Sequence, residues 1–139
     1  MSLHHIIYLS RAVHPFSDEE LQELLLQARQ DNSSRNITGA LVYGNEQFAQ
    51  IIEGEATVIA ALYERLLQDP RHTQLVKFAD KTIEHRSFAD WSMAFHPVSA
   101  GQMQDLTGYV SPKNLDFRPA NLGLSDTLLL QMMKSFVLP

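Results

Sequence analysis

The sequence predicts an α+β fold in which one mixed β-sheet carries two helices on one of its faces. Apolar runs of strand length alternate with segments of helical spacing in the order β-α-β-β-α-β-β along residues 4–95. The chain has 139 residues, of which 45% are hydrophobic and 19% charged. This length and composition are typical of one globular domain with a sizeable core.

The first strand and the first helix are the most clearly bounded elements. Residues 4–10 are apolar on both faces, which is typical of a central strand. The run Ser17-Asp18-Glu19-Glu20 is a capping box, so a helix is expected to start there. The turn-forming run 31–34 predicts the end of this helix, which carries apolar residues at helical spacing: Leu21, Leu24, Leu25 and Ala28.

A hairpin and a second helix come next. Strands are predicted at residues 38–43 and 47–53, with a tight turn at residues 44–46. We expect the second helix to follow the break Glu53-Gly54-Glu55 and to end near Gln68, because the dipeptide Asp69-Pro70 disfavours helix.

Two further strands, at residues 75–83 and 91–95, complete the order. The order resembles the ferredoxin-like β-α-β-β-α-β sandwich, extended by a fifth strand. The expected sheet is therefore five-stranded and mixed, with both helices on one face.

The sequence changes character after Pro97. We expect residues 1–97 to form the main domain and residues 98–139 a helical extension that packs on it. Within the extension, residues 100–110 predict a short helix, residues 111–123 a loop, and Ser125 the N-cap of a final helix. That helix is apolar nearly all round, which predicts packing on the sheet face that the first two helices leave bare.

Charge and composition argue against several classes of function. A net charge of −5 without a Lys/Arg-rich run argues against nucleic-acid binding. The chain has no cysteine, and its six histidines show no metal-binding pattern, so no metal site is expected. We found no stretch of 18 apolar residues and no secretion signal, and we therefore expect a cytoplasmic protein that does not bind membranes.

A glutamine on an apolar strand face is the most informative single residue. Gln50 shares a face with Phe48 and Ile52, and burying an amide without partners costs about 1–3 kcal/mol. Tyr8 lies on a similar face, and Asn32 stands at the end of the first helix. Tyr8 has a structural interpretation as a core tyrosine with one hydrogen-bond partner, and Asn32 has one as a helix C-cap. For Gln50, a structural and a functional interpretation are equally open.

Five motifs in order resemble the BLUF domain, a blue-light sensor that uses flavin. The resemblance covers about residues 3–95. The motifs are a tyrosine in the first strand (Ile6-Ile7-Tyr8-Leu9-Ser10), Asn32 followed by Thr38-Gly39, Phe48-Ala49-Gln50 with Glu53-Gly54, Asp69-Pro70-Arg71-His72, and Trp91-Ser92-Met93.

The resemblance implies that a flavin ring is held between the two helices, beside the sheet. It implies FAD as the cofactor, with FMN as the alternative. Tyr8 and Gln50 match the photoactive pair, and Asn32 matches the amide that binds the polar edge of the ring. Six other residues match positions around the flavin: Leu24, Phe48, Ile52, Arg65, Asp69 and His72.

Trp91 and Met93 share a face of the predicted last strand, and the family implies that one of them contacts Gln50. The pair would then relay the switch to the sheet. The sequence leaves open which of the two faces Gln50, and it leaves open whether the amide rotates or tautomerises.

The leading hypothesis is a photoreceptor that is not an enzyme. The roughly 40 residues after the sheet are too few for an output domain, so a partner protein in trans or a homo-oligomer interface is expected to take the signal. One alternative is a small ferredoxin-like enzyme such as an acyl-phosphate hydrolase, for which Arg11 and Asn36 are the hints. Another is an interaction module that keeps the fold without flavin.

Overall fold

The computed structural model describes residues 2–110, 130, 131 and 133–135. The elements follow the predicted order. They are β1 Leu3–Ala12, α1 Asp18–Ser34, β2 Thr38–Gly44, β3 Gln47–Glu55, α2 Ala56–Leu67, β4 His72–Thr82, β5 Ala94–Pro97 and α3 Ala100–Val110.

One sheet in the order β4-β1-β3-β2-β5 forms the centre of the molecule. The first four strands pair antiparallel, whereas β5 lies parallel to β2. The prediction of a five-stranded mixed sheet in an α+β, ferredoxin-like arrangement is confirmed. In the register of β1 and β3, Tyr8 lies directly opposite Gln50.

Strand alternation divides the apolar residues between two clusters, one on each face of the sheet. The helix-side core joins Tyr8 and Phe48 to residues of α1 and α2 such as Leu25 and Ile59. The rear core lies on the opposite face and contains Ile7, Leu9, Val42, Ile51, Phe88, Met103 and Met133. Residues of α3 and of the C-terminal region therefore cover the face that α1 and α2 leave bare.

The start of α1 was predicted correctly, and the hydrogen bonds of the capping box explain it. The Ser17 hydroxyl accepts a hydrogen bond from Glu20 N at 3.1 Å, and the Glu20 carboxylate accepts one from Ser17 N at 3.0 Å. The helix ends at Ser34 with Arg35 as its C-cap. Asn32 is therefore inside the last turn and is not the capping residue.

The hairpin between β2 and β3 turns through Asn45 and Glu46, which both have a positive φ. Two such residues are what a tight two-residue hairpin turn requires. Strand β3 is longer than predicted, because Gly54 and Glu55 pair with the first residues of β1. Glu55 also caps α2, where its carboxylate accepts a hydrogen bond from Val58 N at 3.3 Å.

The last strand, predicted at residues 91–95, is present, but its predicted start was wrong, because β5 begins at Ala94. Side chains of α1, not a neighbouring strand, bind the carbonyl groups just before it. Asn32 Nδ2 donates to Ser92 O at 2.7 Å, and Arg29 Nε donates to Met93 O at 2.9 Å. Strand β4 also begins earlier than predicted, at His72.

Residues 130, 131 and 133–135 are helical. The loop predicted at residues 111–123 and the N-cap predicted at Ser125 lie outside the described residues. In the part of the chain that is described, no helix is long and apolar enough to cross a membrane.

Candidate functional site

A cavity of about 470 Å³ opens between α1, α2 and the sheet. Its volume falls within the range of small-molecule and cofactor sites. It brings together eight of the residues that the sequence predicts around a flavin: Tyr8, Leu24, Asn32, Phe48, Gln50, Arg65, Asp69 and His72. Ile52 is fully buried in the helix-side core and does not line the cavity.

Tyr8 and Gln50 are hydrogen-bonded at the base of the cavity. The Tyr8 hydroxyl donates to Gln50 Oε1, and both side chains are buried. Burial raises the pKa of Tyr8, and the nearby Asp69 carboxylate raises it further. The phenol therefore keeps its proton at neutral pH and remains a donor to the amide oxygen.

The other end of the Gln50 amide faces Met93. Gln50 Nε2 donates to Met93 Sδ at 3.7 Å, and Met93 is 1% exposed. Trp91 is 45% exposed. Of the two residues that the sequence left open, Met93 is the one that contacts Gln50.

Asn32 lines the cavity and also binds the segment that carries Met93. Its side chain is 2% exposed, and its Nδ2 donates to the carbonyl of Ser92. Arg29, one turn earlier in α1, binds the next carbonyl. These two side chains fix the backbone beside Met93.

An ion pair stands at the rim of the cavity. Asp69 accepts hydrogen bonds from Arg71 Nε at 3.0 and 3.1 Å and from Arg71 Nη2 at 2.6 Å. Although burial opposes it, the bonding with Arg71 lowers the pKa of Asp69. Asp31 and Arg65 form a second, longer pair at 3.5 Å.

His72 is held by two partners beside the Tyr8 ring. Its Nε2 lies 2.7 Å from Leu66 O, and its Nδ1 lies 2.8 Å from Ser10 Oγ. A carbonyl only accepts, so Nε2 carries the proton, and in the neutral ring Ser10 donates to Nδ1. The His72 and Tyr8 rings meet edge to face, with 6.0 Å between their centroids.

The family model described as sensors of blue-light using FAD, BLUF, matches residues 3–94. The chain belongs to the BLUF family.

Among curated proteins, this BLUF chain is similar to subunits of photoactivated adenylate cyclases. It is 35% identical over 89 residues to subunit beta from Euglena longa, which is 63% of this chain and 10% of that protein. It is 31% identical over 132 residues to subunit alpha from Euglena gracilis, which is 95% of this chain and 11% of that protein. The chain thus spans about a tenth of the length of these relatives.

Solved BLUF structures share the fold over nearly the whole chain. The photo-activated state of BlsA is 26% identical with a TM-score of 0.71, covering 92% of this chain and 94% of that one. The dark state of BlrB, a BLUF protein, is 27% identical with a TM-score of 0.68, covering 94% and 97%. A bacterial light-regulated adenylyl cyclase is 26% identical with a TM-score of 0.65, and the match covers 96% of this chain but 34% of that one.

The cavity suits the isoalloxazine ring of the flavin that BLUF proteins use. Apolar side chains form much of its wall: Leu24, Ala28, Leu41, Phe48, Leu62 and Leu66. The amides of Asn32 and Gln50 offer donors and acceptors to the polar edge of such a ring. A flat aromatic group with a polar edge matches this combination of apolar walls and amide groups.

Sequence reasoning missed Gln27 and Arg71, which line the cavity, and Ser10, which is hydrogen-bonded to His72. Arg71 and Ser10 each belong to one of the quoted motifs, whereas Gln27 belongs to none. The two hints of a hydrolase, Arg11 and Asn36, do not line the cavity. Within the described ranges, no group of three or more potential metal ligands is present.

Proposed function

We propose that this BLUF chain detects blue light through Tyr8, Gln50 and Met93, and that exchange of the two ends of the Gln50 amide is the signal. One observation carries the proposal. The oxygen of Gln50 faces a phenol and its nitrogen faces a thioether, so both ends of the amide are engaged. Rotation or tautomerisation would exchange a donor for an acceptor at each contact.

Flavin, when bound, supplies the absorption of blue light and an acceptor for one electron. We propose that FAD occupies the cavity. The apolar side chains of Leu24 and Phe48 would lie against the ring, and the amides of Asn32 and Gln50 would bind its polar edge. Three further residues of the rim would complete the site: Arg65, Asp69 and His72.

Tyr8 is the proposed electron donor. A phenol that gives up an electron becomes strongly acidic, and its hydroxyl already donates a hydrogen bond to Gln50 Oε1. The proton would therefore pass to the amide oxygen along a contact that exists before light arrives. The raised pKa of Tyr8, caused first by burial, keeps this proton in place in the dark.

Met93 is the proposed receiver of the change in Gln50. A thioether is a weak acceptor, so little free energy opposes loss of its contact with the amide nitrogen. An amide oxygen facing Sδ would have no donor to meet there. Met93 would then move, and β5, which follows it directly, would move with it.

We also propose that the chain is a sensor without an enzymatic activity, that it acts in the cytoplasm, and that it signals to a partner protein in trans or through a homo-oligomer interface. Its match to the light-regulated adenylyl cyclase spans 34% of that protein, which supports a role as the sensing part of such systems. Pull-down and size-exclusion experiments in dark and light test the partner, and fractionation of cells tests the location.

The decisive experiment compares absorption before and after blue light. The purified protein is expected to be yellow and to shift its flavin band to the red by several nanometres. Gln50→Leu should keep flavin and lose the shift, because leucine has neither donor nor acceptor. Tyr8→Phe should keep the fold and lose the normal photocycle.

Gln22→Leu is the matched control, because Gln22 is exposed on α1 and does not line the cavity. It should keep both flavin and shift. A colourless protein that takes up no added flavin would contradict the whole proposal. A normal shift in Gln50→Leu would contradict the role of Gln50 alone.

A further inference from the structure

Glu53 is a fully buried carboxylate that takes no part in the light reaction proposed above. It is 0% exposed, and its carboxylate accepts hydrogen bonds from Thr38, Ser87 and Phe88. Thr38 Oγ1 and Phe88 N donate to its Oε1 at 2.8 and 3.0 Å, and Ser87 N donates to its Oε2 at 2.6 Å. A buried charge with this many donors holds its partners strongly, because their loss would leave the charge uncompensated.

Arg86 completes the network. Its Nη1 donates to Thr38 Oγ1 at 2.8 Å and to Glu53 O at 3.1 Å, and its Nη2 donates to Asn36 O at 2.9 Å. The Thr38 hydroxyl thus accepts from Arg86 and donates to Glu53. We call Thr38, Glu53 and Arg86 the clamp.

The clamp fixes the start of the segment that carries Met93. This segment, residues 83–93, links β4 to β5 and is called here the β4–β5 connection. Phe88, whose amide binds Glu53, is 1% exposed in the rear core. Farther along, Trp91 N donates to Phe88 O at 3.0 Å and Gly39 N donates to Trp91 O at 3.1 Å.

The β4–β5 connection contacts strand β3 at two places, through Gln50 and through Glu53. Gln50 and Glu53 are three residues apart in β3 and so point to opposite faces of the sheet. Strand β3 is paired on both sides, with β1 and β2, which makes it a rigid base. Gln50 contacts Met93 at the end of the β4–β5 connection, while Glu53 holds that connection at Ser87 and Phe88.

We propose that the clamp is a positioning device for the photocycle: Glu53 and Arg86 fix residues 86–88, set Met93 against Gln50 in the dark, and keep the light-driven movement of residues 89–93 and β5 from spreading back toward β4. This inference rests on the proposed function, since it assumes that Met93 responds to Gln50. The clamp residues act through the β4–β5 connection and do not line the cavity.

The sharpest test is a pair of substitutions at Thr38. Thr38→Val keeps the shape of the side chain and removes the hydroxyl that joins Arg86 to Glu53, whereas Thr38→Ser keeps the hydroxyl. Thr38→Val should bind flavin and show the normal red shift, because Tyr8 and Gln50 are untouched. Its dark recovery should slow at least threefold, because Met93 is no longer placed to receive the returning amide. Thr38→Ser should recover like the wild type.

A control variant tests whether destabilisation by itself slows the dark recovery. Ile7→Val removes one methyl group from the rear core on β1, which costs about 0.5–1.5 kcal/mol, and leaves the clamp intact. Its recovery rate should not change. Hydrogen exchange in dark and light gives a second measurement: the light-induced change should cover residues 89–97 in the wild type and spread to residues 83–88 in Thr38→Val.

Arg86→Lys provides an independent variant, because Arg86 is partly exposed and its loss leaves the core intact. It should slow recovery as Thr38→Val does. Wild-type recovery in both variants would overturn the clamp. A wild-type protein without a red shift would instead overturn the proposed function, so the two failures are distinguishable.

Discussion

Gln50 places the two chemically different ends of its amide against two very different partners. The contact with Tyr8 is a strong one between a hydroxyl and a carbonyl oxygen, whereas the contact with Met93 is a weak one to sulfur. In the proposed function, a change at the Tyr8 end is taken up at the Met93 end, because the contact with sulfur is the weaker of the two.

This difference gives a prediction about the two residues of the Trp-Ser-Met motif. Met93→Leu conserves volume in the core, so its unfolding free energy should fall by less than about 1.5 kcal/mol. It removes the acceptor of Gln50 Nε2, so the dark arrangement should lose stability and dark recovery should slow severalfold. Recovery is measured from the decay of the red-shifted band after illumination.

Trp91→Phe is the control at the exposed position. It should leave the recovery rate unchanged, because Trp91 has no contact with the Gln50 amide. The opposite result, with Trp91→Phe slow and Met93→Leu normal, would contradict the assignment of Met93 as the receiver.

Alternation puts Tyr8 and Gln50 each on an apolar strand face, whereas their pairing was predicted from the resemblance to the BLUF domain. The orientation of Trp91 and Met93 was not predictable, because it depends on side chains far away in the chain. Arg71 and Ser10 were missed for a similar reason. Their hydrogen-bond partners, Asp69 and His72, can be recognised in the sequence as parts of a motif. Which residue each of the two binds depends on the tertiary structure.

Among the elements, the hairpin of β2 and β3 depends on one close approach. A Cβ added to Gly39 would lie 2.1 Å from the backbone oxygen of Ile51, in the paired strand. Backbone atoms in the middle of a sheet cannot move aside without loss of pairing. Only glycine therefore fits at position 39 beside the Ile51 backbone, which gives the glycine of the Thr-Gly motif a structural reason.

Gly39→Ala should therefore destabilise the protein by about 3 kcal/mol or more, which is in the range of severe core substitutions. Gly101→Ala is the matched control in α3, where the nearest atom to an added Cβ is Ser99 Oγ at 3.8 Å. It should change stability little or raise it by about 0.5 kcal/mol, because alanine favours helix. Urea unfolding of both variants makes the comparison. Equal stability of the two variants would contradict the crowding at Gly39.

The error at β5 shows what sequence patterns leave out about elements. Residues 91–93 have the residue types of a strand, yet the carbonyl groups of Ser92 and Met93 are bound by Asn32 and Arg29 of α1. A strand is defined by its pairing, and here side chains from a helix take the place of a neighbouring strand. Strands β1, β2 and β3 were placed within a few residues, because their apolar runs are buried between both layers.

At the scale of the whole molecule, the sheet separates the two cores that the described residues form, and these cores have different components. The helix-side core surrounds the cavity, while the rear core is covered by α3 and by the C-terminal residues that the structure describes. The division of the chain at residue 97 stays a prediction. The burial of Met103 and Met133, both 0% exposed, supports close packing between the two parts.

Adjacent residues of the C-terminal helical region test that packing. Met133→Ala should lower the unfolding free energy by about 2–4 kcal/mol, because it opens a cavity in the rear core. Lys134→Ala, at the next and only partly buried position, should change it by less than about 0.5 kcal/mol. Thermal unfolding of the flavin-loaded protein measures both. A loss at Lys134 as large as that at Met133 would contradict the assignment of the buried face.

The register of β1 and β3 has a practical consequence. Tyr8 and Gln50 meet only because they are direct partners across these two strands. A slip of one residue would turn one of them to the rear face and separate the pair. A preparation can therefore be yellow and still contain misaligned molecules, but only correctly aligned ones should change colour under blue light. The amplitude of that change, divided by the bound flavin, should report the fraction of properly folded receptor in a sample.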